Sequence, residues 1–204
     1  MNKGLVFIVS GPSGSGKDTV LKELFKKRPE IKFSISSITR GMRVGEVEGE
    51  KYNFISREKF LEMIKNDELL EYNEYVGNYY GTPKAPVVNA TLNGEDIIIE
   101  VDVNGAAKIR EKIPNAVSIF IMPPSFEELK RRLSGRGTET EAVIKERLDS
   151  AIGEIKRATE YGYIVVNDDL SVAVNDIISI IESNHLMLDS QKQIINEVLK
   201  NAKS

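Results

Sequence analysis

Cysteine is absent from this 204-residue chain, and histidine occurs once, at His185. Without cysteine there is no disulfide framework and no thiolate metal site. With one histidine, His-based catalytic triads and histidine-rich metal centres are not expected, and His185 itself is expected to be a solvated residue of a helical tail. A surplus of basic residues is also missing: 28 Lys and Arg stand against 31 Asp and Glu, a net charge of −3. No basic block marks a nucleic-acid surface. No apolar run approaches the roughly 18 residues of a membrane span, and with only a few apolar residues before Gly11 a secretory leader is not expected. These absences leave a cytoplasmic enzyme or binding protein. What is present, 41% apolar and 29% charged residues, suits one soluble domain with a proper core.

Strand-like and helix-like segments alternate along the chain. Residues 5–10 are apolar without alternation, the pattern of a strand buried on both faces. The runs 97–102, 117–122 and 163–166 repeat that pattern. Helices are expected from about Lys17 to Lys27, stopping before Pro29. A second is expected from Arg57 to Asn66, capped by Ser56, with Phe60, Leu61 and Ile64 on its inner face. Others run from Pro83 to near Gly94, over 104–112, and from Ser125 through Leu133. After Gly135-Arg136-Gly137, a helix capped by Thr138 or Thr140 carries Ile144, Leu148, Ala151, Ile155 and Ala158 on one side. Leu170 to Ser204 reads as two helices around Ser183-Asn184-His185. Phe33 to Thr39 alternates apolar and hydroxyl residues, as one strand with a polar face. Leu69 to Tyr80 reads as a hairpin around Gly77-Asn78. Strands alternating with helices indicate an α/β fold with a helix-covered parallel sheet.

One stretch carries chemistry by itself. Gly11-Pro12-Ser13-Gly14-Ser15-Gly16-Lys17-Asp18-Thr19 lies between a buried strand and a helix. Its spacing fits G-x-x-x-x-G-K, a loop whose backbone N–H groups cradle phosphates while the lysine reaches the outer ones. The position after the lysine departs from the pattern: Asp18 stands where a Ser or Thr usually ligates Mg2+. A GTPase would need a guanine-reading N-K-x-D motif, and Asn167-Asp168-Asp169 lacks the lysine. A second phosphate-suited group lies between positions 36 and 82. Arg40 and Arg43 are spaced for an anion clamp, and Tyr52 and Tyr80 offer hydroxyls. Two phosphate sites on one domain suggest transfer between two phosphorylated molecules.

At this point the sequence resembles the guanylate kinases, nucleoside-monophosphate kinases of the P-loop class. The matching stretches are SGPSGSGKDT, SISSITRGMRVGEVEGEKYNF, LLEYNEYVGNYYGT, IIEVDVNG, IFIMPPS, RRLSGRGTETE and VVNDDL, spread over about positions 5 to 182. The resemblance implies reversible transfer of the ATP γ-phosphoryl group to GMP, giving ADP and GDP, in purine nucleotide metabolism and GMP recycling. It implies a P-loop core over 1–36, 89–126 and 158–204, a GMP-binding insertion over 37–88 and a helical lid over 127–157. By this resemblance Gly11 to Thr19 and Asn167 would hold ATP. Ser36, Arg40, Arg43, Tyr52, Glu71, Tyr80, Thr82 and Asp102 would surround GMP. Lys17, Arg40, Arg132, Arg136 and Arg147 would stabilise the transferring phosphoryl group, the last three once the lid closes.

The chemistry agrees. Guanine presents N1–H and an amino group as donors and O6 as an acceptor, so Glu71 suits the donors and Ser36 or Thr82 suits O6. Adenine reverses part of that pattern and would leave buried groups unpaired. Mg2+ accompanies ATP and needs few protein ligands, with Asp18 the one candidate. Glu100 and Asp102 are open to three roles: holding metal-bound water, orienting Lys17, or contacting GMP. The expected partners are ATP, ADP, GMP and GDP, with no nucleic acid or membrane, in a monomer or homodimer. A non-catalytic guanylate-kinase-like interaction module is the runner-up; the intact Gly11, Gly16 and Lys17 speak against it.

Overall fold

The computed structural model describes residues 3–135 and 141–201. Arg136, Gly137, Thr138 and Thr140 lie outside the described residues. The larger of two sheets contains β1 (Val6–Ser10), β2 (Lys32–Phe33), β7 (Ile97–Glu100), β8 (Val117–Met122) and β9 (Tyr163–Val166). All pairings are parallel and the order is β2-β7-β1-β8-β9. Every residue of β1 is buried, because its side chains enter two cores in turn. Phe7 and Val9 meet helices α1 (Lys17–Lys27) and α7 (Leu170–His185) through Leu21, Leu24, Ala173 and Ile177. Val6 and Ile8 meet α3 (Lys84–Leu92) and α4 (Val103–Lys112) through Val87, Ala90, Ala106 and Ile109. Each such side chain contributes about 1.5–3 kcal/mol by leaving water. The continuous apolar runs are therefore what a sheet covered on both faces requires.

The smaller sheet contains β3 (Ser36–Ile38), β4 (Tyr52–Phe54), β5 (Leu69–Tyr75) and β6 (Asn78–Pro83), in the order β4-β3-β6-β5. Helix α2 (Arg57–Lys65) covers it through a satellite core of Phe60, Met63 and Leu69, with Tyr79 stacked on Phe60 at 5.2 Å. Ser56 caps α2 by accepting from the Lys59 N–H at 3.2 Å. A β-bulge between Leu69 and Glu71 turns two consecutive leucines inward: Leu69 joins the satellite core and Leu70 the main one. Helices α5 (Phe126–Ser134) and α6 (Glu141–Lys156) pair through Leu129, Leu133, Leu148 and Ala151. The segment Arg157–Glu160 forms a 3-10 turn, and α8 (Leu188–Asn201) ends the described chain.

Four expectations are corrected. Phe33 to Thr39 is not one strand: Phe33 pairs with Ile98 in the large sheet, and Ser36 begins the small one. Alternation reports a half-exposed strand without saying which sheet it joins. On α2, Leu61 is 45% exposed and Met63 is buried, because the small sheet meets the face carrying Phe60 and the residue three further on. The hairpin turns at Val76-Gly77, both at positive φ (48° and 72°), as a two-residue loop matching the strands' twist requires. His185 is paired, with Nε2 2.7 Å from Asp96 Oδ2, because α7 ends beside the start of β7.

Candidate active site

The carboxyl ends of β1, β7 and β9 run into the phosphate-loop motif, the carboxylates at 100–102 and Asn167, the edge where open α/β sheets place ligands. Gly16 caps α1 at φ 88° and ψ 17°. A Cβ there would stand 2.4 Å from Asn167 Nδ2, so backbone shape and surroundings both require glycine. The loop is closed from behind. Asn167 Nδ2 donates to the Ser15 carbonyl at 2.8 Å, and Arg132 Nη1 donates to it at 3.3 Å. Lys17 Nζ donates to the Gly11 carbonyl at 2.7 Å. Burial pushes the Lys17 pKa below its usual value, against the pull of Glu100 and Asp18. An ammonium that has lost water gains from an anionic ligand, and the amino end of α1 adds its dipole. Pro12 and Ser15 are buried, while Ser13, Asp18 and Thr19 are exposed.

A cleft of about 390 Å³ extends from this loop to the small sheet. Gly11, Ser13 and Lys17 line one side; Ser36, Tyr52, Glu71 and Tyr80 line the other; Glu100 and Asp102 lie between. The alternation of β5 explains the second side: Glu71, Asn73 and Tyr75 face the cleft, while Tyr72 turns onto Phe60 at 6.5 Å. Glu71 is 8% exposed and its Oε1 accepts from Thr82 Oγ1 at 2.7 Å. Burial raises the Glu71 pKa, and the Thr82 hydrogen bond only partly offsets this. Asp102 caps α4, its Oδ1 accepting from the N–H groups of Asn104 at 2.9 Å and Gly105 at 2.7 Å.

The arginines are already engaged. Arg40 donates through Nη1 and Nη2 to Glu46 at 2.7 and 2.5 Å, and its guanidinium lies over Tyr52 at 5.3 Å. Glu46 also accepts from the Arg43 N–H at 2.8 Å. The Arg40 hydrogen bond, ahead of that Arg43 contact, holds the Glu46 carboxyl at about 2. The Arg43 side chain is exposed. The arginine pair thus brackets an internal carboxylate and, unlike Tyr52 and Tyr80, does not line the cleft. Arg132 donates to Glu128 at 2.7 Å and to the Asn167 carbonyl at 2.9 Å. Arg147 Nη2, on α6, donates to Ser13 Oγ at 2.6 Å.

Asp18 Oδ1 accepts from Lys51 Nζ at 2.5 Å, and Glu100 Oε2 lies 3.0 Å from the same ammonium. A cation is therefore accepted between these carboxylates. Among the described residues no group of three or more His, Cys, Asp or Glu is placed to hold a metal. The donor set fits an ion that takes most of its ligands from phosphates and water, as Mg2+ does. Sequence reasoning had passed over Lys51, Asn73, Tyr75 and Glu154, all of which line the cleft. Counting by twos along β5 from Glu71 reaches Asn73 and Tyr75; no local signal marks Lys51 or Glu154. No helix among the described residues is long and apolar enough to cross a membrane.

A sequence model of the guanylate kinase family matches residues 3–184. The chain is 47% identical over 200 residues to a guanylate kinase of Clostridioides difficile, covering 98% of each. It is 50% identical over 183 residues to one of Halalkalibacterium halodurans, covering 90% of each. The crystal structure of guanylate kinase from Anaplasma phagocytophilum superposes with a TM-score of 0.76 at 33% identity, covering 92% of this chain and 89% of that one.

Proposed function

The chain belongs to the guanylate kinase family, and from that premise we propose that the cleft between its two sheets is where ATP and GMP meet. The protein is an ATP:GMP phosphotransferase: the ATP γ-phosphoryl group passes to GMP, giving ADP and GDP. The observation that carries the site reading is that a phosphate loop and a buried, acceptor-only carboxylate open onto one cleft. The donor side is the Gly11–Thr19 loop, with Lys17 exchanging the Gly11 carbonyl for phosphate oxygens. The acceptor side is the expected 37–88 region, and α5 with α6 form the expected 127–157 lid over a core of the remaining segments.

Phosphoryl transfer asks the protein for alignment and charge neutralisation more than for proton chemistry. Lys17 and the loop N–H groups neutralise the donor end. At the acceptor end, guanine N1–H and its amino group replace the water that burial removed from Glu71, while adenine would face that carboxylate with an acceptor. Thr82 donates its proton to Glu71, so it orients the carboxylate, and donation to O6 falls to Ser36. Tyr52 and Tyr80 reach the GMP phosphate from the cleft wall. Arg40 joins them by exchanging Glu46 for that phosphate, and Arg43 by turning its exposed side chain to it. Arg132 holds the back of the loop through the Ser15 and Asn167 carbonyls. Arg147, already on Ser13, and Arg136 close the site from the lid and exclude water. Asn167 supports the loop from beneath, on the donor-base side. Asp18 would face Mg2+, directly or through water, and the ion would supply charge neutralisation at the phosphates. We place the enzyme in the cytoplasm, acting on free nucleotides as a monomer or homodimer, with no nucleic-acid or membrane partner. A coupled ADP-release assay with GMP, AMP, UMP and dTMP tests the acceptor assignment: turnover is expected with GMP and at most traces with the rest. Comparable turnover with AMP would overturn it.

A further inference from the structure

One half-buried cation at the seam of the cleft has no role in the reading above. Lys51 stands next to Tyr52, on the acceptor wall, yet its ammonium reaches Asp18 on the first turn of α1 and Glu100 at the end of β7. It thus spans the gap between the two phosphate sites. The charge of the cleft makes this placement consequential. Among the described residues that line it, Lys17 and Lys51 are the cations, facing Glu71, Glu100, Asp102 and Glu154. Arg40 is committed to Glu46 and Arg132 to Glu128 and two carbonyls. Two nucleotides bring several negative charges into this acidic space. Burial works against the Lys51 ammonium, but Glu100 and Asp18 outweigh it and keep it charged.

We propose that Lys51 is a substrate-contacting cation of the phosphoryl transfer, resting on Asp18 and Glu100 until both nucleotides are bound and then turning to the phosphoryl oxygens where ATP and GMP meet. Of its two partners Asp18 is the weaker: that side chain is 74% exposed, and an ion pair so open to water contributes little, while Glu100 is 13% exposed and is the contact the phosphates must replace. A lysine stem is flexible, and its compact charge needs no fixed fork geometry. A cation placed where charge shifts during transfer acts on the transition state more than on either substrate alone.

This inference rests on the assignment of the cleft to the two nucleotides, and the test separates the two. The full chain is compared with Lys51→Met, which keeps length without charge, and Lys51→Arg, which keeps charge. The probe is a pentaphosphate bridging guanosine and adenosine, which spans both sites, titrated by calorimetry beside GMP and ATP alone. Lys51→Met is expected to lose about 10²-fold in kcat, to bind the bridged probe at least about tenfold more weakly, and to keep its affinity for each single nucleotide and its melting temperature. Lys51→Arg is expected to recover most of both losses. Wild-type kcat and wild-type probe affinity in Lys51→Met would overturn the inference. So would a loss spread equally over ATP, GMP and the probe, which marks a structural role. Failure of the unaltered enzyme to bind the probe would sink the cleft assignment and the inference with it.

Discussion

The two sides of the cleft, proposed to take the donor and the acceptor, are built by different means. The phosphate loop is held by the main fold: Asn167 and Arg132 grip Ser15 from behind, Leu129 and Leu133 press on Gly14, and β1 beneath is buried on both faces. The acceptor side stands on a small sheet with a satellite core of three buried residues, and its loop over 40–49 is largely exposed. The donor side has a cradle that waits for an anion. On the acceptor side the Arg40 guanidinium already holds one, Glu46, which also accepts from the Arg43 backbone N–H. The loop side is thus anchored in a large core, while the small-sheet side carries an Arg40–Glu46 pair that, under the proposed assignment, the substrate phosphate would displace. Under that assignment the exchange would cost affinity and favour discrimination, because a ligand matching both Arg40 and Glu71 recovers the exchanged contacts.

The sharpest break in this comparison is at Lys17. Lys17→Ala should lower kcat about 10²–10³-fold while GMP binding, followed by calorimetry, stays as it was; an equal loss of GMP affinity would show that the two sides are not separable. Next in size is Glu71→Gln. A buried hydrogen bond to a charged group contributes about 1.5–3 kcal/mol, so the KM for GMP should rise roughly 10–100-fold with the KM for ATP unmoved. A rise in both constants would refute the assignment. Two glycines then compare the rigidity of the sides directly. Gly16 and Gly45 share φ 88°, but a Cβ at Gly16 meets Asn167 at 2.4 Å and one at Gly45 meets nothing within 4 Å. Gly16→Ala should cost about 1–3 kcal/mol in urea unfolding and Gly45→Ala about 1 kcal/mol or less. Equal costs would mean that the loop gives way as easily as the open arginine segment.

The smallest effect is on pH. Burial raises the Glu71 pKa, so the ionised form that guanine's donors require is lost as pH falls through a value above the ordinary glutamate range. GMP binding should weaken first. The Glu46 carboxyl, depressed to about 2 by Arg40, stays ionised over the same interval. A depressed carboxylate adds stability that is complete above its unfolded pKa and is lost only as pH falls towards about 2. The KM for GMP, measured against pH, should therefore rise on acidification in the wild type and stay flat in Glu71→Gln while the fold persists. A matching rise in that variant would remove Glu71 as the cause.

Much of this was legible along the chain because its signals are local. The loop Gly11–Thr19 and the strand at 117–122 declare themselves within a few residues, the strand expected over 97–102 ends two residues earlier at Glu100, and the helix bounds Lys17 and Lys27 follow from a phosphate loop and a proline. What was not legible depends on partners far along the chain. Phe33 and Ser36 belong to different sheets because Ile98 takes one and Tyr52 the other. Arg40 reads as a free anion clamp until the fold of its loop brings Glu46 onto it. Glu154 on α6 and Lys51 just before β4 become cleft residues only because the fold brings segments far apart in the chain beside Lys17. The resemblance to a family supplied the roles; local chemistry supplied the reason that Glu71 suits guanine.

The bond from Asn167 to the Ser15 carbonyl links residues 152 positions apart. During synthesis the phosphate loop emerges early, but the strands beside β1 begin at Ile97 and Val117, and the contacts behind the loop come from Leu129, Arg132, Leu133 and, last, Asn167. An N-terminal half of the chain therefore displays the loop sequence without its anchor. Because non-local closure comes late, the growing chain completes this anchor only after residue 167 has been added.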